Sequence, residues 1–300
     1  MTNEKQAFAM KNNGHIKKEF HILIDDKILQ DIKVATIIAE HSKLSKQQVK
    51  QAMKKGALWI EDSSKGVRRL RRAGTIPPRQ SILHFYYDTQ ILELTPPAPT
   101  LIADEINYSI WSKPSGMLSQ GSKWGDHCTI NRWIEVNMPF TTQPQRNCFV
   151  VHRLDRAARG LMLIAHKKNI TAKLSGLFEK REISKCYRVI VEGEFPKTEK
   201  IIDTEIDGKT AYSVAKLIEY SRDKNRSLLE VSIKTGRKHQ IRIHLSRAGY
   251  PVAGDRLHGK ARDDKHQECL QLCAYSLEFT YPITEQEKRY ILPEYLGLSL

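Results

Sequence analysis

The sequence contains no phosphate-cradling GxxxxGK[ST], no GxGxxG, no GxSxG and no HExxH. These absences remove the common signatures of nucleotide hydrolysis, dinucleotide redox chemistry, serine hydrolysis and zinc proteolysis. No apolar run approaches the roughly 18 to 20 residues of a membrane-spanning helix. The first twenty residues lack the apolar block and small-residue cleavage site of a secretion signal, so a cytoplasmic location without membrane attachment is expected. Cysteine is sparse and odd in number. Cys128, Cys148, Cys186, Cys269 and Cys273 share no repeated pair spacing, which argues against a disulfide framework and a structural zinc site. His266, Cys269 and Cys273 lie close together but lack a fourth ligand. The eleven histidines follow no metal-ligand pattern, and neither metal nor cofactor is expected.

What the sequence does have is positive charge. Forty-nine Lys and Arg stand against 34 Asp and Glu, a net of +15 with a pI near 9.5. Such an excess points to a polyanion, and nucleic acid is the commonest soluble one. Residues 1–90 alone hold 17 basic and 9 acidic side chains. With 300 residues, 40% hydrophobic and 28% charged, the chain can bury a full core in one large domain or two.

The division is visible at Leu94–Thr100, where Pro96, Pro97 and Pro99 disfavour helix and leave an extended linker. The reading is a flexible tail over 1–19, a basic module over 20–93, a linker over 94–100 and a larger domain over 101–300. Upstream of the linker, Val34–Glu40 and Lys46–Lys54 have helical spacing, the second capped by Ser45 and ended by Gly56. Strands are expected over Ala57–Ile60 and Ile82–Tyr87. Lys46, Lys50, Lys54 and Lys55 decorate the second helix, and Arg68, Arg69, Arg71 and Arg72 follow; both groups suit phosphates, although most such runs are only solvated faces. The order LSKQQVKQAMKKGALWIED then AGTIPPRQSILHFYYD resembles the alpha-L RNA-binding domain of the ribosomal protein S-four type over about residues 20–90. Glu61 stands where that family has Asn after the strand.

Downstream, strands are expected at Ser109–Ser112, Tyr187–Val191 and Leu228–Ile233, and a helix at Thr171–Lys180. Without regular strand–helix alternation the fold class is α+β. The chemistry centres on His152-Arg153-Leu154-Asp155-Arg156. A lone Asp beside Arg is generically a surface ion pair, but Asp155 lies between apolar flanks, Phe149–Val151 and Leu161–Ala165. That places it at a core edge facing a groove, and an ionised carboxylate there can act as base or nucleophile. Thr235–Leu245 packs three cations and two histidines and reads as a phosphate patch, with Arg237 and Lys238 its foremost candidates. Gly249–Gly259 reads as a tight structural loop.

Lys113-Pro114-Ser115-Gly116, HRLD at 152–155, Lys185–Gly193, HQIR at 239–242, the Gly249–Gly259 loop and LQLCAYSLEFTYP at 270–282 together resemble the RluA-type pseudouridine synthases over about residues 101–282. The resemblance implies a mixed, largely antiparallel sheet flanked by helices, with a central RNA-binding cleft, and a small N-terminal α/β RNA-binding module. It implies that Asp155 is the catalytic aspartate, that Tyr187 stacks on the target uracil, that Arg242 pairs with the carboxylate, and that Arg153 replaces the flipped-out base. Ile241 and Leu245 would be pocket wall or core. Two positions depart from the family. Ala157-Ala158-Arg159-Gly160 replaces a Thr-Ser-Gly ending, and His258 replaces a tyrosine. The implied partner is ribosomal or transfer RNA, handled by a monomer that converts uridine to pseudouridine with no energy source or cofactor. A relic domain that binds RNA without catalysis is the alternative reading; hydrolytic RNA cleavage has weaker support.

Overall fold

The computed structural model describes residues 11–12, 15–25, 31–137, 140–143, 145–259 and 268–300. The chain divides into two units, Met1–Pro96 with Gln120–Arg132, and Pro97–Ser119 with Trp133–Leu300.

The first unit holds β1 (Lys11–Asn12), β2 (His15–Leu23), α1 (Val34–Ser42), α2 (Lys46–Lys54), β3 (Leu58–Asp62), β4 (Gly66–Arg69), β5 (Ile82–Asp88) and α3 (Thr89–Glu93). The strands form one antiparallel sheet in the order β1-β2-β5-β3-β4. Both main helices form where the periodicity places them. In α2, Ser45 Oγ accepts from the Gln48 amide and Gln48 Oε1 accepts from the Ser45 amide, a reciprocal cap that satisfies two otherwise unpaired donors. Val49, Ala52 and Met53 go inward against Ile37, Ile38, Leu58, Ile60, Leu83 and Phe85. Gly56 follows with φ +86°, and a Cβ there would lie 2.6 Å from Asp126, so both its backbone and its surroundings require glycine.

Two boundary expectations need correction. Residues 15–19 are not tail: they pair in β2 against β5, with Ile16 and Phe20 packed on the core. Residues 1–10 of the expected tail lie outside the described residues. The break at Pro96/Pro97 falls inside the expected linker, but Gln120–Arg132 joins the first unit rather than the larger one. Asp126 draws it there, held by Arg69 and Arg71, and Trp124 packs edge-on against Tyr86.

The second unit is built on β6 (Thr100–Asp104), β7 (Tyr108–Lys113), β8 (Phe149–Val150), β9 (Arg159–Ala165), β10 (Ser184–Glu192), β11 (Lys200–Ile202), β12 (Ser213–Ser221), β13 (Arg226–Ile233), β14 (Leu272–Thr280) and β15 (Glu287–Ile291). Helices α5 (Lys168–Lys180) and α6 (Gln240–Arg247) belong to it, and α4 (Ile130–Asn137) bridges the division. The sheet runs β11-β12-β13-β10-β14-β9-β7-β6, with β15 on β14 and β8 on β9. Every described pairing is antiparallel except β9 with β14, so the α+β expectation of a mixed, largely antiparallel sheet holds. Leu161, Leu163, Ile170 and Leu174 form the core beneath this seam with Tyr108, Ile110 and Cys273.

Candidate active site

Asp155 sits in the loop between β8 and β9, and that loop is held from below by Lys113–Ser119, the continuation of β7. Lys113 is fully buried and its ammonium donates to the carbonyls of Pro114, Met117, Arg156 and Ala158 at 2.6–3.4 Å. Burial pushes this amine down to about 7, while the charge of Asp155 opposes the shift. Ser115 Oγ donates to the Ala157 carbonyl at 2.7 Å. The Gly116 amide donates to the Arg156 carbonyl, and Arg156 Nε donates back to the Gly116 carbonyl. Ser119 Oγ donates to the Leu154 carbonyl at 2.6 Å and accepts from the Leu154 amide at 2.9 Å. The backbone on both sides of Asp155, at Leu154 and at 156–158, is thereby tied to one neighbouring loop.

Where that loop enters β9, Gly160 has φ +112° and a Cβ would lie 2.3 Å from the Ala274 carbonyl. The glycine that survives from the family motif is therefore required by the β9–β14 seam. Arg159, which replaces the hydroxyl residue, pairs in register with Cys273 and does not line the cleft.

The partner of Asp155 comes from α6. Arg242 donates through Nη1 to Asp155 Oδ2 at 3.1 Å, and through Nε and Nη2 to Asp255 at 2.8 and 2.6 Å. Its guanidinium thus spans two carboxylates, bidentate to one and aiming one N–H at the other. Asp255 has a fully buried side chain, whereas Asp155 keeps 21% of its own exposed to the cleft. Burial raises the Asp255 carboxyl, but Arg242 and the amides of His258 and Leu257 outweigh it, so it titrates below the usual carboxylate range. The start of α6 is fixed by Gln240, which accepts from Thr235 Oγ1 and the Arg237 amide and donates to the Tyr212 carbonyl. The segment read as a phosphate patch is in large part a helix start that delivers Arg242.

Two imidazoles complete this side. His239 precedes α6 with a left-handed φ of +56°, its Nε2 3.7 Å from Asp155 Oδ2 and its Nδ1 3.0 Å from His258 Nε2. Burial is the largest influence holding His239 below its ordinary value. His258, the replacement for a tyrosine, therefore lies directly behind a ring beside Asp155. His152 stacks on Phe178 at 4.4 Å and accepts the Leu163 amide on Nε2. Burial pushes its pKa down to about 3, so it is neutral with its proton on Nδ1.

A cleft of about 910 Å³ opens over these groups, lined by Arg153, Asp155, Tyr187, Arg237, Lys238 and Arg242 among others. Six of the residues singled out from sequence thus share one site. Tyr187 comes from β10, beside a register shift at Cys186/Tyr187, and is 9% exposed. Burial first, then the charge of Asp155, raises its phenol, so it remains an O–H at neutral pH. Arg153 and Lys238 are exposed; Ile241 is buried at the wall and Leu245 in the core. Sequence reading missed Asp255, His239 and Ser119. For Asp255 a signal existed: an acid between glycines in the Gly254–Gly259 loop.

In the first unit, Lys46, Lys50 and Lys54 are exposed along α2. The arginine run is different. Arg68 pairs with Asp62, Arg69 and Arg71 pair with Asp126, and Arg72 is exposed. Those three are already paired in the structure, Arg68 with nearby Asp62 and Arg69 and Arg71 with the distant Asp126, so they are not a run of free cations. Of His266, Cys269 and Cys273, which lie close together in sequence, His266 is outside the described residues, and no group of three or more potential metal ligands occurs among the described ones.

The family model for RNA pseudouridylate synthase matches residues 107–247. The tRNA pseudouridine synthase C of Vibrio vulnificus is 32% identical over 209 residues, 59% of this chain and 82% of the relative. The chain belongs to the RNA pseudouridine synthase family. The synthase is also 27% identical over 260 residues to the ribosomal large subunit pseudouridine synthase D of Neisseria meningitidis, covering 77% and 67% of the two chains. Its fold matches human RNA pseudouridylate synthase domain-containing protein 1 with a TM-score of 0.56 at 18% identity, over 67% of this chain and 86% of that one.

Proposed function

We propose that the synthase isomerises uridines of structured ribosomal or transfer RNA, with Asp155 as the essential carboxylate. The single observation that carries the assignment is the Arg242 guanidinium held bidentately by Asp255 and presented to Asp155 at 3.1 Å at the mouth of the cleft. In the reaction the N1–C1′ bond breaks, the uracil turns, and a C5–C1′ bond forms. The C5 proton leaves and N1 gains one, so no oxidant or group donor is consumed. The carboxylate serves by adding to the sugar or by taking a sugar proton, and Arg242 aims it in either case. Tyr187 supplies an aromatic face for the extruded base and Arg153 fills the vacated stack, which offsets unstacking of a few kcal/mol. The ribosomal and transfer RNA named for the relatives supply the substrate class, and the exposed α2 lysines with Arg237 and Lys238 supply phosphate contacts.

Asp155→Asn removes charge and little shape. It is expected to abolish pseudouridine formation in RNA while binding persists, read by pseudouridine mapping across total RNA with and without the protein. An Asn variant within a few-fold of wild type would sink the assignment. The relic alternative is disfavoured because Asp155, Tyr187 and Arg242 all survive and line one cleft.

A further inference from the structure

The loop that carries Asp255 places a second side chain besides Arg242. The His258 amide donates back to Asp255 Oδ1 at 3.1 Å, and the His258 carbonyl accepts from Ser246 Oγ of α6 at 2.5 Å. With both main-chain groups anchored, the His258 ring is aimed at His239. Its Nε2 lies 3.0 Å from His239 Nδ1, and the two rings meet edge to face at 5.1 Å. One proton belongs in that contact, and either ring could supply it.

If His239 donated from Nδ1, its Nε2 lone pair would face Asp155 Oδ2 at 3.7 Å, two electron-rich atoms opposed. If His258 donates from Nε2, His239 carries its proton on Nε2 and turns an N–H toward the carboxylate. The second arrangement is the favourable one. It requires a singly protonated His239. Burial, Arg242, His258 and Lys238 all disfavour a second proton there, and together they outweigh the attraction of Asp155. The hydrogen bond made by one imidazole nitrogen sets the state of the other. We propose that His258 is a positioning residue for the isomerisation: by donating to His239 Nδ1 it keeps the His239 Nε2–H facing Asp155. Asp255 then governs the catalytic carboxylate by two arms, one through Arg242 and one through the imidazole pair. At 3.7 Å the N–H is too distant to be engaged by Asp155 itself. It lines the cleft as a donor for an oxygen of the nucleotide on whose sugar Asp155 acts. The inference rests on the assignment of Asp155 above.

The test uses the full chain and the RNA whose pseudouridine depends on it in the mapping experiment. His258→Gln keeps an N–H donor at nearly the reach of the imidazole Nε2, whereas His258→Met has similar length and no donor. Single-turnover rate and RNA affinity are measured separately. NMR spectra of isotope-labelled histidine show which nitrogen of His239 bears the proton, its signal being the one missing from His239→Gln. Wild-type protein is expected to carry that proton on Nε2. Because a misplacement of about 1 Å at the reacting groups can cost on the order of 100-fold, His258→Met is expected to lose about 10-fold in rate. Its affinity should stay within about twofold, since uniform binding is untouched. His258→Gln should recover most of the rate and keep the Nε2 proton. A proton on Nδ1 in the wild type overturns the proposal, as does a wild-type rate in His258→Met or a Gln variant no faster than Met. If His258→Met fails to fold, the wild-type spectrum and the rate of His258→Gln against wild type decide. Wild-type protein that forms no pseudouridine would instead remove the Asp155 reading, and this inference with it.

Discussion

Arg242 shows how a single side chain can join two carboxylates that differ in exposure. The pair with buried Asp255 is satisfied on both sides, so removing one partner leaves an uncompensated charge. Asp255→Asn is expected to cost on the order of 3 kcal/mol in urea unfolding, and to slow single-turnover isomerisation because Arg242 is freed to swing. His152 gives a pH prediction. Its native pKa, about 3, lies below the ordinary 6.5, so between those values the unfolded chain binds the extra proton. Stability should therefore be full above pH 6.5 and decline as pH falls toward 3, by at most ~1.4 kcal/mol per pH unit. His152→Gln should flatten that part of the stability curve, measured by denaturation at stepped pH. At this scale the sequence exposes residues that belong to contiguous motifs, such as Asp155 in HRLD and Arg242 in HQIR. Asp255 and Ser119 stay hidden because their roles exist only once a loop has folded back on a distant element.

Among elements, α2 is legible almost to the residue because everything that makes it is local: the cap, the apolar stripe and the glycine stop. Ser45→Ala is expected to cost about 1 kcal/mol, seen as a lower thermal midpoint. The neighbouring arginines are illegible for the converse reason. Arg69 and Arg71 find their acid at Asp126, more than fifty positions on, and periodicity carries no information at that range. The two kinds of cation should separate in a salt series. Replacing Lys46, Lys50 and Lys54 together by Gln should flatten the dependence of log affinity on log salt by about 2 to 3 if each contacts a phosphate. An unchanged slope would mean that α2 does not touch RNA.

For the whole molecule, the proline-rich stretch marks one crossing between units, but the chain crosses again at Ser119/Gln120 and at Arg132/Trp133. A protein starting at Ala98 would leave Gln120–Arg132 without Arg69, Arg71 and Tyr86. Trypsin should then cut at Lys123 and Arg132 while both sites resist in the full chain; equal resistance would show that the segment holds without its partners.

The β9–β14 seam sets the order in which this enzyme can come into being. The loop bearing Asp155 opens directly into β9, whose parallel neighbour is made only near residue 273. Contacts so far apart in sequence form late, since their loop must close first. As the chain leaves the ribosome, the first unit has all its segments once residue 132 is made and can settle early, but the Asp155 carboxylate has no finished floor until translation is nearly over. A nascent chain thus completes its first unit well before the Asp155 loop has the strand it rests on.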